Sequence, residues 1–249
     1  MKPINDAYGR EIWSFYNGEK VIEVSERDDG FINPGGGLPA SYFLDFKYWP
    51  KYERVAIKYA KGNVLDIGAG AGRVSLYLQN RGYDVTAIDS SPLAVKVCKK
   101  RGVKKARTLA IEEIGKLKPD TYDTVIMYGN NFGLFGSFKK AKIILNKLYK
   151  ITTPNALIIA ESHDPYVKIT AGRPLLPEHR VYHTLNRKKG RMGGQLRMRI
   201  RHKKYIGKWF DYLLVSKREM KEILKNTGWK VKKFISSKGA AYAAVIEKV

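Results

Sequence analysis

The sequence predicts an α/β fold organised on a parallel sheet, and two observations carry the prediction. From Gly62 onward, apolar stretches of strand length alternate with helically spaced ones, and glycine-rich or serine-proline turns separate them. Such alternation places helices on both faces of a parallel sheet. In order, "NVLDIG" is an apolar run ending in a glycine loop, "RVSLYLQNRG" has helical spacing and a glycine stop, and "DVTAIDSSP" is a second strand closed by Ser and Pro. "LAVKVCKKRG" then reads as a helix, "KARTLA" as a short strand, "TYDTVIMYG" as a fourth strand, "SFKKAKIILNKLYKI" as an amphipathic helix and "NALIIAES" as a fifth strand.

The pattern changes after residue 207. "WFDYLLVS" reads as a strand leading to Ser216, and Ser216 with Glu219 forms a capping box that opens the helix "KREMKEILKNTG". "WKVKKFISS" and "AAYAAVIEKV" are two strands joined by a short "KG" turn, expected as an antiparallel pair at one sheet edge. The predicted organisation is an N-terminal lid and pocket segment over residues 1–60, followed by a domain over 61–249 that carries a basic insertion at 163–207. Pro34 to Gly37 reads as a loop in the lid segment.

A chain of 249 residues that is 44% hydrophobic can bury a sizeable core. Its one cysteine, Cys98, excludes an intramolecular disulfide framework and a cysteine-rich zinc site, so a reducing cytoplasmic compartment is expected. No apolar run reaches the length of a membrane span, and the four histidines lack a metal spacing, so neither membrane nor metal is expected. The net charge of +24 points to polyanionic partners. The excess is regional: residues 1–60 carry 8 basic against 9 acidic side chains, whereas 163–207 carry 12 against 2. High charge, one cysteine and two glutamines lean toward a thermophilic, archaeal source.

In "VLDIGAGAGR", Asp66 precedes Gly68, Gly70 and Gly72 at alternate positions. Glycines at that spacing let backbone N–H groups approach a ligand at a helix N-terminus. The third residue after Gly70 is Arg73, so the dinucleotide spacing G-x-G-x-x-G fails, and no Gly-Lys-Ser/Thr follows to make a P-loop. Asp89 ends the second strand, where a carboxylate can accept both hydroxyls of a ribose at roughly 1.5–3 kcal/mol per charge-assisted bond. This loop, the strand-two acid and "YGNNFG" (128–133) after strand four together resemble a class I S-adenosylmethionine-dependent methyltransferase over residues 60–249. The resemblance implies a seven-stranded sheet whose last strand is antiparallel, with S-adenosylmethionine as cofactor. It assigns Asp66 and the Gly68, Gly70 and Gly72 loop to the methionine portion, Asp89 to the ribose, Leu109 and Ala110 to the adenine border, and Tyr128 to the cofactor site. Many relatives carry an acid where this chain has Leu109.

"YGNNFGLFG" contains no acid, base or nucleophile, yet a sulfonium methyl is already activated and transfer needs mainly an aligned acceptor. A pyrimidine-carbon target would need a cysteine, and Cys98 lies on a different predicted helix. A ribose hydroxyl target would need an acid at strand four. A base nitrogen fits better: Asn130 or Asn131 offers a carbonyl acceptor and Phe132 a ring to stack on the base. His163 and Tyr166, in "HDPY", are candidate substrate contacts. In "LRMRIRHKK", Arg197, Arg199, Arg201 and Lys203 alternate with apolar residues, which on a strand makes one cationic face suited to phosphates. The expected function is methylation of a base nitrogen in ribosomal or transfer RNA, with cytidine N4 of small-subunit ribosomal RNA as the sharpest candidate. Two rivals stand: a small-molecule N- or O-methyltransferase, which leaves the cationic row unused, and an RNA-binding module that keeps the cofactor as a structural ligand.

Overall fold

The structure, a computed structural model, describes residues 6–34, 39–167, 169–170, 173–174 and 176–249; Gly35, Gly36 and Gly37 of the lid loop lie outside the described residues. In chain order, α1 (Ala7–Tyr16), β1 (Val24–Arg27), β2 (Ile32–Pro34) and α2 (Lys51–Ala56) precede the predicted alternation. There follow β3 (Val64–Ile67), α3 (Arg73–Gln79), β4 (Val85–Asp89), α4 (Pro92–Lys100), β5 (Lys105–Thr108), β6 (Tyr122–Met127), α5 (Phe138–Ile151) and β7 (Thr152–His163). The remainder is β8 (Ile169–Thr170), β9 (Arg173–Pro174), α6 (Pro177–Lys188), β10 (Gln195–His202), β11 (Tyr205–Ile206) and β12 (Phe210–Leu213). It ends with α7 (Lys217–Leu224), β13 (Trp229–Ser236) and β14 (Ala241–Lys248).

The larger sheet has seven strands in the order β13-β14-β7-β6-β3-β4-β5. β3, β4 and β5 are mutually parallel, as are β6 and β7, while β14 runs antiparallel to both β7 and β13. This is the expected methyltransferase-type sheet with its antiparallel last strand. Among the described residues no helix is long and apolar enough to cross a membrane.

The chain divides into two compact units. The first comprises residues 1–49, 63–113 and 197–210. In it Ile12 of α1 packs on Ala94 and Val97 of α4 and on Ala71 of the glycine loop, with Tyr8, Trp13, Tyr42 and Phe43 around them. Ser91 is the N-cap of α4, accepting from Ala94 N, and Pro92 follows it at the first helical position. Cys98 is buried with Val95, Val103 and Ala106, a packing residue as its helical position predicted.

The second unit comprises residues 50–62, 114–196 and 211–249. Ser137 caps α5, whose Ala141, Ile144, Leu145, Leu148 and Ile151 are buried at three- and four-residue spacing. Trp229 at the start of β13 donates to the Leu145 carbonyl at 3.1 Å. The Ser216–Glu219 capping box is formed in both directions, Glu219 N to Ser216 Oγ and Ser216 N to Glu219 Oε2.

The cationic row at 197–203 takes a form the charge count could not supply. β10 pairs antiparallel with β1, setting Arg199 opposite Glu26 and Arg201 opposite Val24. Arg199 Nε reaches Glu26 Oε2 at 2.8 Å, Arg201 shares the same oxygen, and Lys203 pairs with Glu19. Arg199 and then Arg201 hold the Glu26 carboxyl down to about 2. Three of the four cations thus contact two acids of the near-neutral N-terminal segment, Glu26 and Glu19. Lys203 also falls past the end of β10, in a turn with φ +52°, and so does not share the strand face.

Replacing the helix cap by Ser216→Ala removes the hydroxyl's bonds from Glu219 N and to Glu219 Oε2 while leaving the Ser216 backbone donor, and is expected to lower stability by about 1 kcal/mol. Chemical denaturation followed by far-UV circular dichroism reads that loss directly.

Candidate active site

Asp89 is the last residue of β4 and is 5% exposed. Its Oδ2 accepts Gly70 N at 3.0 Å and its Oδ1 accepts Ser91 N at 2.8 Å, which leaves each oxygen a second lone pair for a ligand hydroxyl. Burial pushes the Asp89 carboxyl up to about 6, against the pull of the Ser91 and Gly70 N–H groups. Asp66, in β3, is pushed up to about 6 by the same cause, and it accepts Ser75 Oγ at 2.6 Å, so it also anchors α3. Leu109 N donates to the Asp89 carbonyl at 2.9 Å, which holds the half-buried Leu109 and Ala110 beside that strand end.

The three loop glycines divide by task. Gly70, at φ +56°, has its missing Cβ directed at Tyr8 Oη, 3.1 Å away, and at Tyr42. A side chain there would meet the aromatic cover supplied by the N-terminal segment. Gly72 is different. It caps α3 in the left-handed region at φ +80°, and a Cβ would stand 2.8 Å from Val103 Cγ2 and 3.2 Å from Cys98 Sγ. Gly72 therefore also makes room for the packing of Val103 and Cys98 under the loop.

In the second unit, "YGNNFGLFG" forms a turn after β6 and a short 3-10 helix over Asn131–Phe135. Tyr128 is 4% exposed and donates to the Glu53 carbonyl at 2.8 Å, which ties the turn to α2. Phe132 is 0% exposed and packs edge-on against Phe135 at 4.8 Å, so it presents no face on which a base could stack. Asn130 lies in the left-handed region at φ +63°. Its carbonyl accepts Gly133 N and the Tyr212 hydroxyl, at 2.9 and 2.7 Å, while no donor among the described residues reaches its buried Oδ1. Asn131 is half-buried at the start of the 3-10 helix.

The sequence reading found no acid at this turn, but the fold supplies one. Glu161 of β7 is 3% exposed; it accepts Gly129 N at 2.7 Å and Tyr52 Oη at 2.6 Å. It braces the turn from a neighbouring strand, and a lone acid inside an otherwise apolar strand was the available signal. His163 ends the same strand half-buried, with its imidazole held below its usual range by burial. Tyr166 is 37% exposed and donates to Glu219 Oε1 at 2.6 Å, under the Arg187 guanidinium.

Comparison with known proteins decides what this arrangement is. Residues 65–160, from β3 to β7, match the family described as the methyltransferase domain. Over that span the chain is similar to a methyltransferase domain. A SAM-dependent methyltransferase from Bacteroides fragilis, solved with S-adenosyl-L-homocysteine, superposes with a TM-score of 0.82 at 26% identity, covering 100% of this chain and 97% of that one. A SAM-dependent methyltransferase from Methanosarcina mazei shares the fold at a TM-score of 0.61 and 16% identity, covering 83% and 99% of the two chains. Among curated proteins, a ubiquinone biosynthesis O-methyltransferase from Xanthomonas euvesicatoria is 31% identical over 80 residues, which is 30% of this chain and 34% of the relative. The match therefore spans about a third of that relative's length.

The cofactor of the methyltransferase domain is S-adenosylmethionine, and the donor set fits it. Asp89 has spare lone pairs for a diol, Gly68 and Gly70 bring backbone to the helix N-terminus, and Leu109 and Ala110 offer a half-buried apolar border. No group of three His, Cys, Asp or Glu side chains among the described residues is placed to hold a metal.

Because the ionised Asp89 is the better acceptor for hydroxyls, cofactor affinity is expected to rise through pH 6 and level off above about pH 7. In the absence of ligand the linkage has the opposite sign. A carboxyl raised by folding contributes stability below its ordinary range and loses it as pH climbs through the raised value. Calorimetric titration should show affinity about tenfold weaker at pH 5 than at pH 7. Asp89→Ala should abolish binding, and unchanged affinity would refute this placement.

Proposed function

We propose that the protein methylates a nitrogen of a small organic acceptor, using S-adenosylmethionine. The single observation that carries this reading is Asn130 Oδ1, a buried carbonyl oxygen that no donor of the described residues reaches. An uncompensated acceptor of this kind is costly unless a ligand completes it. An amine N–H is a matching donor, and holding it fixes the direction of the nitrogen lone pair. The bound cofactor supplies a methyl group already activated on sulfur, so alignment supplies most of the remaining acceleration.

An oxygen acceptor would need a base to take its proton. Glu161 accepts from Tyr52 on one oxygen and from Gly129 N on the other, and these bonds tie it to the backbone of the turn. The pairing of Arg199 and Arg201 with Glu26 and of Lys203 with Glu19 supports a small acceptor over a phosphate chain, because two of the three positive charges are already offset.

A second reading, methylation of a base nitrogen in RNA such as cytidine N4 of small-subunit ribosomal RNA, is favoured by one observation. Around α6 the side chains of Arg180, Arg187, Lys188, Lys189 and Arg191 are exposed, and the net charge is +24.

Incubation with methyl-labelled cofactor separately against a metabolite pool, total RNA and ribosomal subunits decides between them. Label in a small amine is expected. Label confined to RNA would replace the first reading by the second, and cofactor binding without transfer anywhere would favour a binding module. Asn130→Gly keeps the positive φ and deletes the acceptor. It should lower kcat at least about tenfold, the value of one hydrogen bond made in the transition state, with cofactor affinity unchanged.

A further inference from the structure

The N-terminal segment contributes a pair of acids for which neither the cofactor nor the folding of the sheet accounts. Glu11 lies on α1, four residues after Ala7 and next to Ile12, on the stripe that packs inward; it is 0% exposed. Glu23, just before β1, is 9% exposed and accepts the Tyr42 hydroxyl at 3.1 Å. No donor among the described residues reaches either carboxylate oxygen of Glu11. Burial, and then the facing Glu23, drive the Glu11 carboxyl far above its ordinary range, and burial raises Glu23 as well. The neighbouring cation is spent elsewhere, since the Arg10 guanidinium stacks over the Tyr205 ring at 3.8 Å.

The pair lies on the cofactor side of its unit. Tyr8, whose hydroxyl stands over Gly70, is half-buried, and its phenol is raised by desolvation and then by Tyr42, Asp89, Glu23 and Glu11. Two carboxyls and a phenol are too few for a divalent metal, which takes six or more oxygens or keeps several waters. They suit an ammonium group, which brings three donors and one positive charge to acceptors that lack both.

We propose that Glu11, Glu23 and Tyr42 form a subsite for an alkylammonium group of the methyl acceptor, beside the Gly70 loop. The inference rests on the reading that the acceptor is an amine; the ammonium held here is a second nitrogen of that acceptor, while the nitrogen that takes the methyl group is neutral and keeps its lone pair. A carboxylate or neutral alcohol acceptor would leave the pair uncompensated.

The test uses the full chain saturated with S-adenosyl-L-homocysteine, so that no turnover occurs, and titrates butylammonium and spermidine chlorides against butanol and butyrate by thermal shift and calorimetry. The ammonium probes are expected to bind and raise Tm, the other two to do neither. Glu11→Gln and Glu23→Gln, near-isosteric and each removing one acid, should weaken ammonium binding at least tenfold while S-adenosyl-L-homocysteine affinity stays within twofold. Circular dichroism establishes that each variant is folded, and the two single variants stand in for one another. Absence of ammonium preference, or preference that survives both substitutions, overturns the proposal. So does a tenfold loss of cofactor affinity with ammonium binding intact, which would assign the pair to the cofactor. If ammonium probes bind through these residues but no small amine is ever methylated, the functional reading falls and the subsite stands.

Discussion

The first unit depends on one chain of buried hydrogen bonds around the end of β4. Asp89 grips Gly70 N and Ser91 N; Ser91 Oγ donates to Asp6 at 2.8 Å and accepts Ala94 N at 3.0 Å; and Asp6 accepts Gly9 N at 2.9 Å. Two short polar side chains thereby cap two helices and fasten both to the strand end that faces the cofactor. Gly9 follows from the same constraint, because a Cβ there would stand 2.0 Å from Ser91 Oγ. The loop shape, the seat of α1 and the start of α4 are consequently one decision and not three.

What could be read from the sequence follows from the length of the elements. Between Gly62 and His163, and again from Ser216 onward, strands and helices are long enough for their periodicity to be visible, and their types and order match the fold. The strands β1, β2 and β11 are two to four residues long, too short for alternation to register. The strand that pairs with β1, β10, lies far off in sequence; Glu26 and Arg199 are 173 positions apart. Local charge counting saw a row of cations and could not see the acids that answer it.

The site shows the same division. Asp89 was legible because it closes a strand at a fixed distance from a glycine loop. Phe132 differs from its expectation because a buried and a presented ring look identical in a sequence, just as the packing that Gly72 permits beside Cys98 is invisible there. Glu161 and the Glu11–Glu23 pair depend on tertiary neighbours, though an acid on an apolar stripe was visible in each element. Buried carboxyls without ordinary ion partners recur here, and the cationic cofactor offers a reason to tolerate them.

Cys98 draws these threads into reactivity. Its sulfur lies beneath the loop, donating to the Gly70 carbonyl at 3.1 Å, and burial pushes the thiol far from ionisation. Only the thiolate attacks oxidants and alkylating agents. The chain's lone thiol is therefore silent while the loop is closed over it, and the rate at which it is labelled becomes a clock for local opening of the cofactor loop. A protein with one cysteine in that position carries its own built-in reporter of whether the ligand-holding backbone is intact.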